Sequence, residues 1–259
     1  PAEAGIKLYI TGALSSAITL YGLSLVFGAS GSLDLADIAA TDASPMLRIG
    51  LLISFAGIGF KLGAAPFHMW VPDTYQGSGN PFVAFLSVLP KAAGMVAVAL
   101  IFLKGAPHLA EAWIPGFAVV IAASLAIGNI GALGQTDLKR LIGFSGVSHM
   151  GFLLLTLVAT TSPGEPGVDA FASLLFYTVG YVVTNMGILF VVELMRQNGA
   201  DSSIASLNGL ARRSPWLGLC TLLFLLSLAG IPFVVGFWGK LYVFLAAWGA
   251  GYTTLVLVG

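Results

Sequence analysis

Three lysines lie within segments that are otherwise apolar. Lys61 stands in GFKLGAAPFHMW, Lys91 in FLSVLPKAAGMVAVALIFL and Lys240 in AGIPFVVGFWGKLY. A lysine at the centre of a membrane helix costs about 2.5–3.5 kcal/mol, so we expect each of them to face a polar interior. Desolvation and a neighbouring ammonium both lower the pKa of a lysine, which can bring the loss of its proton into the working pH range. These residues therefore predict a chemistry of accepting and releasing protons.

Three further residues could extend such a proton relay. His68 lies two residues beyond a proline in the Lys61 segment and could carry protons on toward Lys91. His149 lies in FSGVSHMGF, where two serines make a polar relay plausible. Lys7 lies close to the start of the first apolar segment. A structural hydrogen bond is the alternative for either histidine, and snorkelling of the ammonium to the membrane surface is the alternative for each lysine.

A polar stripe accompanies the fourth and sixth apolar segments. It consists of Asn129, Tyr177, Thr178, Tyr181, Thr184 and Asn185. Hydrogen bonds between membrane helices explain such residues, and a chain of water molecules is the alternative.

The elements that must hold these residues are membrane helices. Of the 259 residues, 58% are hydrophobic and 8% are charged, which excludes a soluble fold. Apolar segments recur at 6–27, 46–60, 82–103, 113–133, 141–159, 171–192 and 216–259. A span needs about 20 residues, so we predict a single transmembrane domain over 1–259 with about seven spans and the start of an eighth. The chain begins without Met and stops inside an apolar stretch, so we expect a piece of a longer protein.

Two of these spans contain helix-breaking residues near a lysine. The breakers are Gly63 and Pro66 after Lys61, and Gly230, Pro232, Gly236 and Gly239 before Lys240. We therefore predict broken helices near 46–76 and 216–248. By alternation of the spans, the first broken helix runs inward and the second runs outward. Such a matched pair is typical of inverted-repeat transporters, whose site lies where the helices are broken.

The distribution of basic residues predicts the orientation of the chain. One set of connections and the chain start carry Lys7, Lys139, Arg140, Arg196, Arg212 and Arg213. The other set carries only Arg48 and Lys104, among Asp34, Asp37, Asp42, Glu111, Glu165 and Asp169. Because cytoplasmic loops are enriched in Lys and Arg, the first set is assigned to the cytoplasmic side.

Several function classes lack their sequence signals. Cys220 is the only cysteine, and the chain has no Walker loop, no dinucleotide glycine fingerprint and no histidine pair placed for haem. We therefore predict no cofactor and no metal in this chain, so that any redox or ATP chemistry belongs to partner subunits. The formal net charge is zero, which gives no argument for a nucleic-acid partner.

Three stretches carry a family resemblance, and they occur in the family's order and spacing. GFKLGAAPFHMWVPDTYQG, GNIGALGQTDLKRLIGFSGVSHMGF and LLSLAGIPFVVGFWGKLY resemble the antiporter-like membrane subunits of respiratory complex I. The PDTYQG sequence favours the subunit N group of bacterial NADH-quinone oxidoreductases, homologues of mitochondrial subunit 2. Related subunits and Mrp sodium/proton antiporters usually have a PDA(H/M)-type sequence there. The chain departs from the family at Gly79 and Phe233, where prolines are usual.

The resemblance implies an all-α, polytopic transmembrane bundle with an inverted-repeat, antiporter-like architecture. The family has fourteen helices, of which this chain covers about the sixth to the start of the thirteenth. By position, Lys61 resembles the lysine of the broken seventh helix, Lys91 that of the eighth and Lys240 that of the broken twelfth. Lys7 matches a lysine at the sixth helix. The family's glutamate in the fifth helix would precede this chain, and Glu3 is not its counterpart.

The function implied is proton translocation coupled to electron transfer in other subunits of NADH:quinone oxidoreductase. NADH, FMN, iron–sulfur clusters and quinone are then expected in partner subunits. The expected partners are antiporter-like neighbours, small membrane subunits and the lipid of the cell inner membrane. One alternative is a subunit of a Mrp-type cation/proton antiporter. Another is a non-conducting scaffold, for which the lysines at the helix breaks would be dispensable.

Overall fold

The computed structural model describes residues 2–162 and 169–259, and Glu165 lies outside the described residues. The α-helices are α1 Ala2–Ser30, α2 Leu35–Ala40, α3 Pro45–Leu62, α4 Trp70–Gly77, α5 Asn80–Val98, α6 Ala110–Leu133, α7 Leu138–Ala159, α8 Ala170–Gln197, α9 Leu210–Arg213, α10 Pro215–Ala229, α11 Val235–Gly249 and α12 Thr253–Val258. A π-helix, Ala99–Gly105, continues α5. Within the described residues the only β-type pairing is an isolated bridge between Asp137 and Ser203. The predicted all-α fold is confirmed.

Six helices of the described residues are long and apolar enough to cross a membrane. They are α1, α3, α5 with its π-helical continuation, α6 with the preceding turn, α7 and α8. Helix α10 is apolar but has only 15 residues, which at 1.5 Å per residue is too short to cross alone. The last apolar stretch thus contains a broken span, α10 followed by α11, and then the short helix α12.

Both breaks begin with the same backbone motif. Helix α3 ends before Gly63, whose φ is 68°, and α10 ends before Gly230, whose φ is 80°. In each case the N–H of the next residue donates to the carbonyl five residues earlier, as in a Schellman cap. Glycine is favoured at this position because it adopts a positive φ without a steric cost. Non-helical residues 63–69 and 230–234 then separate the half-helices.

The second break is more compact than the sequence predicted. Gly236 and Gly239 were expected to weaken the helix, and that expectation is wrong because both lie inside α11. A Cβ at Gly236 would overlap the carbonyl of Ser227 in α10, and one at Gly239 would lie 2.6 Å from the ring of Tyr177 in α8. These glycines therefore allow helices to approach closely.

The two departures from family prolines differ in backbone conformation. Gly79 precedes α5 with φ −64° and ψ 143°, which a proline could adopt. Phe233 lies in the second break with φ 81°, which the proline ring excludes. The backbone at Gly79 is therefore compatible with the usual proline, and the backbone at Phe233 is not.

Helix α7 lies at the centre of the bundle. It contacts α4, α5, α6, α8 and α11, and every residue from 146 to 159 is buried. A helix enclosed on all sides presents its polar residues to protein. His149, which lies near the middle of α7, is positioned by this enclosure.

Candidate functional site

Lys91 is buried in the interior of the bundle. It follows Pro90 within α5 and is 1% exposed. Its Nζ donates to the Oη of Tyr181 at 3.3 Å and lies 5.7 Å and 6.0 Å from the ring centroids of Tyr181 and Tyr75. No carboxylate of the described residues pairs with it. One hydroxyl and two aromatic faces therefore form its polar surroundings.

Tyr181 joins three helices at this point. Its hydroxyl donates to the carbonyl of Ser87 in α5 at 3.2 Å, while the same oxygen accepts from Lys91. Its ring centroid lies 5.0 Å from that of His149 in α7. Because Tyr181 belongs to α8, it connects the lysine of α5 with the histidine of α7.

Together with Lys91 and Tyr181, His149 forms a buried polar row that runs toward the second broken helix. Its Nδ1 lies 2.5 Å from the Oη of Tyr177, one turn before Tyr181 on α8. An imidazole and a phenol can each donate and accept a hydrogen bond, so a proton can pass between such groups. A small cavity of about 10 Å³ adjoins these residues and also touches Ser227, and its volume is close to the smallest that can hold one water molecule.

Lys240 binds the exposed end of the preceding half-helix. Its Nζ donates to the carbonyls of Leu228 and Ala229 at 3.2 Å and 3.1 Å. These are the last carbonyls of α10, where helix geometry leaves acceptors unsatisfied and partial negative charge accumulates. The Nζ also lies 5.0 Å from the ring centroid of Phe152. The break in the span thus creates the binding site for the ammonium.

Lys61 and His68 lie outside this row. Lys61 is exposed in the last turn of α3. Lys61 lies one turn after Gly57 and on the same face of α3. The carbonyl of Gly57 accepts a hydrogen bond from Ser15 of α1 at 2.7 Å. His68 lies in the first break, with its ring centroid 6.3 Å from that of Phe144. Its Nδ1 has no hydrogen-bond partner in the described part of the chain.

Lys7 belongs to an ionic cluster near the positively charged loops. Its Nζ lies 2.7 Å from Asp73 and 2.8 Å from Glu3. The other carboxylate oxygen of Asp73 accepts from Arg140 at 2.5 Å. Asp73 therefore links α1, α4 and α7. Its cations are 66 and 67 positions away, so no local sequence pattern indicates this pairing.

The loops of the same face are tied to one another. Lys139, counted in the sequence as an orientation charge, is only 6% exposed and donates to the Ser78 carbonyl at 2.6 Å. Loop 134–137 and Leu138, the first residue of α7, pair with loop 198–209 through two backbone hydrogen bonds and a hydrogen bond from Ser202 to Asp137. Within the second loop, hydrogen bonds from the hydroxyls of Ser206 and Ser203 lower the pKa of Asp201. The predicted basic face is thus an ordered surface.

Comparison with known proteins finds a family and several relatives that match nearly the whole chain. A family described as "NADH:quinone oxidoreductase/Mrp antiporter, TM" matches residues 1–259. NADH-quinone oxidoreductase subunit N of Herminiimonas arsenicoxydans is 40% identical over 99% of this chain and 53% of its own length. NAD(P)H-quinone oxidoreductase subunit 2 of Synechococcus sp. is 45% identical over 99% and 48%. The chain therefore spans about half the length of the curated relatives it matches.

Solved structures show the same fold. A chain of respiratory complex I from Thermus thermophilus with bound aureothin has a TM-score of 0.84 and 35% identity, covering 99% of this chain and 55% of that one. A chain of the Mrp complex from Dietzia sp. has a TM-score of 0.81 at 22% identity, covering 99% and 47%. The second likeness is one of fold alone.

Proposed function

The chain belongs to the NADH:quinone oxidoreductase/Mrp antiporter family of transmembrane subunits, and from this premise we propose that it is part of a subunit N that translocates protons within a bacterial complex I. Electron transfer from NADH through FMN and iron–sulfur clusters to quinone takes place in partner subunits. The protein then crosses the cell inner membrane several times, beside antiporter-like neighbours and small membrane subunits.

The observation that carries this proposal is the buried polar row from α5 to α11. Lys91 donates to Tyr181, whose ring lies against His149, and His149 lines one cavity with Lys240. Each member can take up or release a proton or relay one through a hydroxyl. The row joins a buried ammonium to one at a helix break, which supports proton exchange between Lys91 and Lys240.

We propose that Lys61, His68 and Lys7 also belong to the proton relay, although they lie outside the buried polar row. Lys61 is a charge in the last turn before a mid-span break, and His68 lies within that break. Lys7 is held by Asp73 at the loop face. No hydrogen bond within the described residues joins these three side chains to Lys91, whose partner is Tyr181.

The relatives distinguish this function from the Mrp alternative. Proteins named as NADH-quinone oxidoreductase subunits match at 40% and 45% identity, whereas the Mrp likeness, at 22%, concerns fold alone. A non-conducting scaffold requires no buried ammonium, and burying one is costly. The enclosure of Lys91 therefore supports conduction over scaffolding.

The test replaces Lys91 with methionine in the full-length protein within its assembled complex. Methionine fills a similar volume without the charge, so assembly is expected to persist while pumped protons per NADH oxidised fall. Lys104→Ala is the matched control, because Lys104 is exposed at the far end of the same continuous helix. Lys61→Ala is measured in the same way. Full pumping by an assembled Lys91→Met complex would contradict the proposed function.

A further inference from the structure

Ser227 forms hydrogen bonds to two other elements at the second helix break. Its Oγ accepts from the backbone N–H of Gly236 at 3.1 Å and lies 3.0 Å from the Oγ1 of Thr184 in α8. The side chains of Ser227 and Thr184 are both buried. Hydroxyls in helices commonly bond back to a carbonyl one turn earlier, as Thr221 of α10 does. Within the described residues Ser227 and Thr184 make no such bond, so both hydroxyls serve contacts between elements.

The contact with Gly236 caps α11 from another helix. The first N–H groups of a helix have no acceptor within it, and the side chain of the N-cap residue often provides one. Val234 occupies the N-cap position of α11 and provides none. The Oγ of Ser227, in the last turn of α10, binds the N–H of the second residue of α11 instead. Gly236 permits this approach, since a Cβ there would overlap the Ser227 carbonyl.

The two half-helices hold each other in both directions at this break. Lys240 lies one turn after Gly236 on α11. Its Nζ donates to the carbonyls of Leu228 and Ala229, the two residues that directly follow Ser227. Helix α11 thus gives an ammonium to the end of α10, and α10 gives a hydroxyl to the start of α11. The bond at Ser227 therefore helps to determine where Lys240 meets its acceptors.

Thr184 connects this pair of half-helices with the buried polar row. It lies three residues after Tyr181 and seven after Tyr177 on α8, which is the spacing of a single helix face. These three side chains line the cavity of about 10 Å³ together with His149 and Ser227. The face of α8 that carries both tyrosines thus also holds the second break.

We infer that Ser227 and Thr184 are positioning residues for proton transfer. Their hydroxyl pair fixes the second break against α8 and so sets the place of Lys240 relative to His149. Neither hydroxyl needs to take up or release the transferred proton. The role in transfer rests on the proposed function, whereas the two hydrogen bonds of Ser227 do not.

Two substitutions at Thr184 separate its hydroxyl from the shape of its side chain. Thr184→Val removes the hydroxyl and keeps the volume, so protons pumped per NADH oxidised by the assembled full-length complex are expected to fall about fivefold, the equivalent of one hydrogen bond. Thr184→Ser keeps the hydroxyl and is expected to retain most of the pumping. Thr221→Val is the matched control, because the Thr221 hydroxyl bonds to the Leu217 carbonyl of its own helix. Normal pumping by Thr184→Val, or an equal loss in Thr184→Ser, would overturn the positioning role.

A double-mutant cycle tests whether the two hydroxyls act as a pair. Ser227→Ala removes both hydrogen bonds of Ser227, so pumping is expected to fall at least as far as in Thr184→Val. Because both substitutions break the same bond, the double variant is expected to pump as well as Ser227→Ala alone. The losses from two independent packing defects would instead multiply, and that result would refute the pairing.

Hydrogen exchange tests the cap of α11 without relying on pumping. In Ser227→Ala the amide of Gly236 loses its acceptor, so the peptide that covers the start of α11 is expected to exchange faster than in the parent complex. Thr221→Val is expected to leave this exchange unchanged. Unchanged exchange in Ser227→Ala would overturn the cap and with it the positioning role.

The same measurements distinguish this inference from the proposed function. Faster exchange in Ser227→Ala, with normal pumping by that variant and by Thr184→Val, would refute the positioning role. If Lys91→Met abolishes pumping in the same experiment, the proposed function still stands. Normal pumping by Lys91→Met would refute the proposed function, whatever the exchange at α11 shows.

Discussion

The Nζ of Lys91 lies 3.3 Å from the Oη of Tyr181, although the two residues are 90 positions apart. Tyr181 also donates to the Ser87 carbonyl, one turn before Lys91 on α5. Its hydroxyl is therefore fixed by two bonds to a single helix, and its ring is left facing His149. This arrangement places a proton-relaying hydroxyl between the two titratable side chains.

Replacing Tyr181 with phenylalanine removes that hydroxyl and keeps the ring. One lost hydrogen bond corresponds to about 1 kcal/mol, or about a fivefold change in rate. We expect protons pumped per NADH oxidised to fall by at least that factor in an assembled Tyr181→Phe complex. Tyr242→Phe is the control, because the Tyr242 hydroxyl makes no hydrogen bond within the described residues. Equal pumping by the two variants would exclude Tyr181 from the relay.

Gly146→Ala tests the geometry around Lys91 without removing any titratable group. A Cβ at Gly146 would lie 2.6 Å from the Lys91 Nζ and 3.2 Å from the Tyr181 Oη. The ammonium is the flexible end of a long side chain, so it is expected to move away and lose its bond to Tyr181. Pumping should fall several-fold while assembly persists.

The control for this substitution is Gly134→Ala, since a Cβ there meets nothing within 4 Å. The alanine at 134 is expected to leave pumping unchanged. Normal pumping by the Gly146→Ala complex would show that the Lys91–Tyr181 contact is unnecessary for proton transfer.

The breaks were predictable because local chemistry determines them. Gly63 and Gly230 stand near prolines within apolar runs, and glycine with positive φ is the residue that ends helices in this way. Near the second break, composition alone did not separate the helix-ending Gly230 from Gly236, which lies inside α11 and allows close packing. Both uses exploit the missing side chain, and only the position of the neighbouring helix distinguishes them.

The partners of the polar residues were not predictable from spacing. Tyr181 was recognised as part of a polar stripe, but its contact with Lys91 depends on how α5 and α8 pack. Lys240 was expected to face a polar interior, yet its acceptors are backbone carbonyls created by the break itself. The two cations that pair with Asp73 likewise lie on helices that are distant from it in the sequence. Such pairings are determined by tertiary packing, which a single sequence does not encode locally.

Asp73→Asn is expected to weaken the ionic link between α1, α4 and α7. The carboxylate accepts from both Lys7 and Arg140, and its removal leaves two cations close together. Because the Asp73 side chain is 32% exposed, solvent screening limits the loss to about 1 kcal/mol of unfolding free energy. Thermal unfolding of the purified full-length protein should show a lower midpoint, with a smaller difference at high ionic strength.

Glu3→Gln provides the comparison for the ionic cluster. Glu3 also pairs with Lys7, but its side chain is 80% exposed, so its removal is expected to change the midpoint very little. Equal shifts for the two variants would mean that Asp73 acts as an ordinary surface charge.

Proline substitutions at Gly79 and Phe233 should have opposite effects on stability. Gly79 already has the φ of proline, −64°, its N–H makes no backbone hydrogen bond within the described residues, and a Cβ there meets nothing within 4 Å. Gly79→Pro should therefore stabilise the protein by about 0.4–1 kcal/mol, through reduced entropy of the unfolded chain. Phe233 has φ 81°, so Phe233→Pro forces the backbone of the second break to rearrange beside the carbonyls that bind Lys240. We expect a lower unfolding midpoint for Phe233→Pro and an equal or higher one for Gly79→Pro. If both variants were equally stable, the positive φ at Phe233 would impose no constraint on the break.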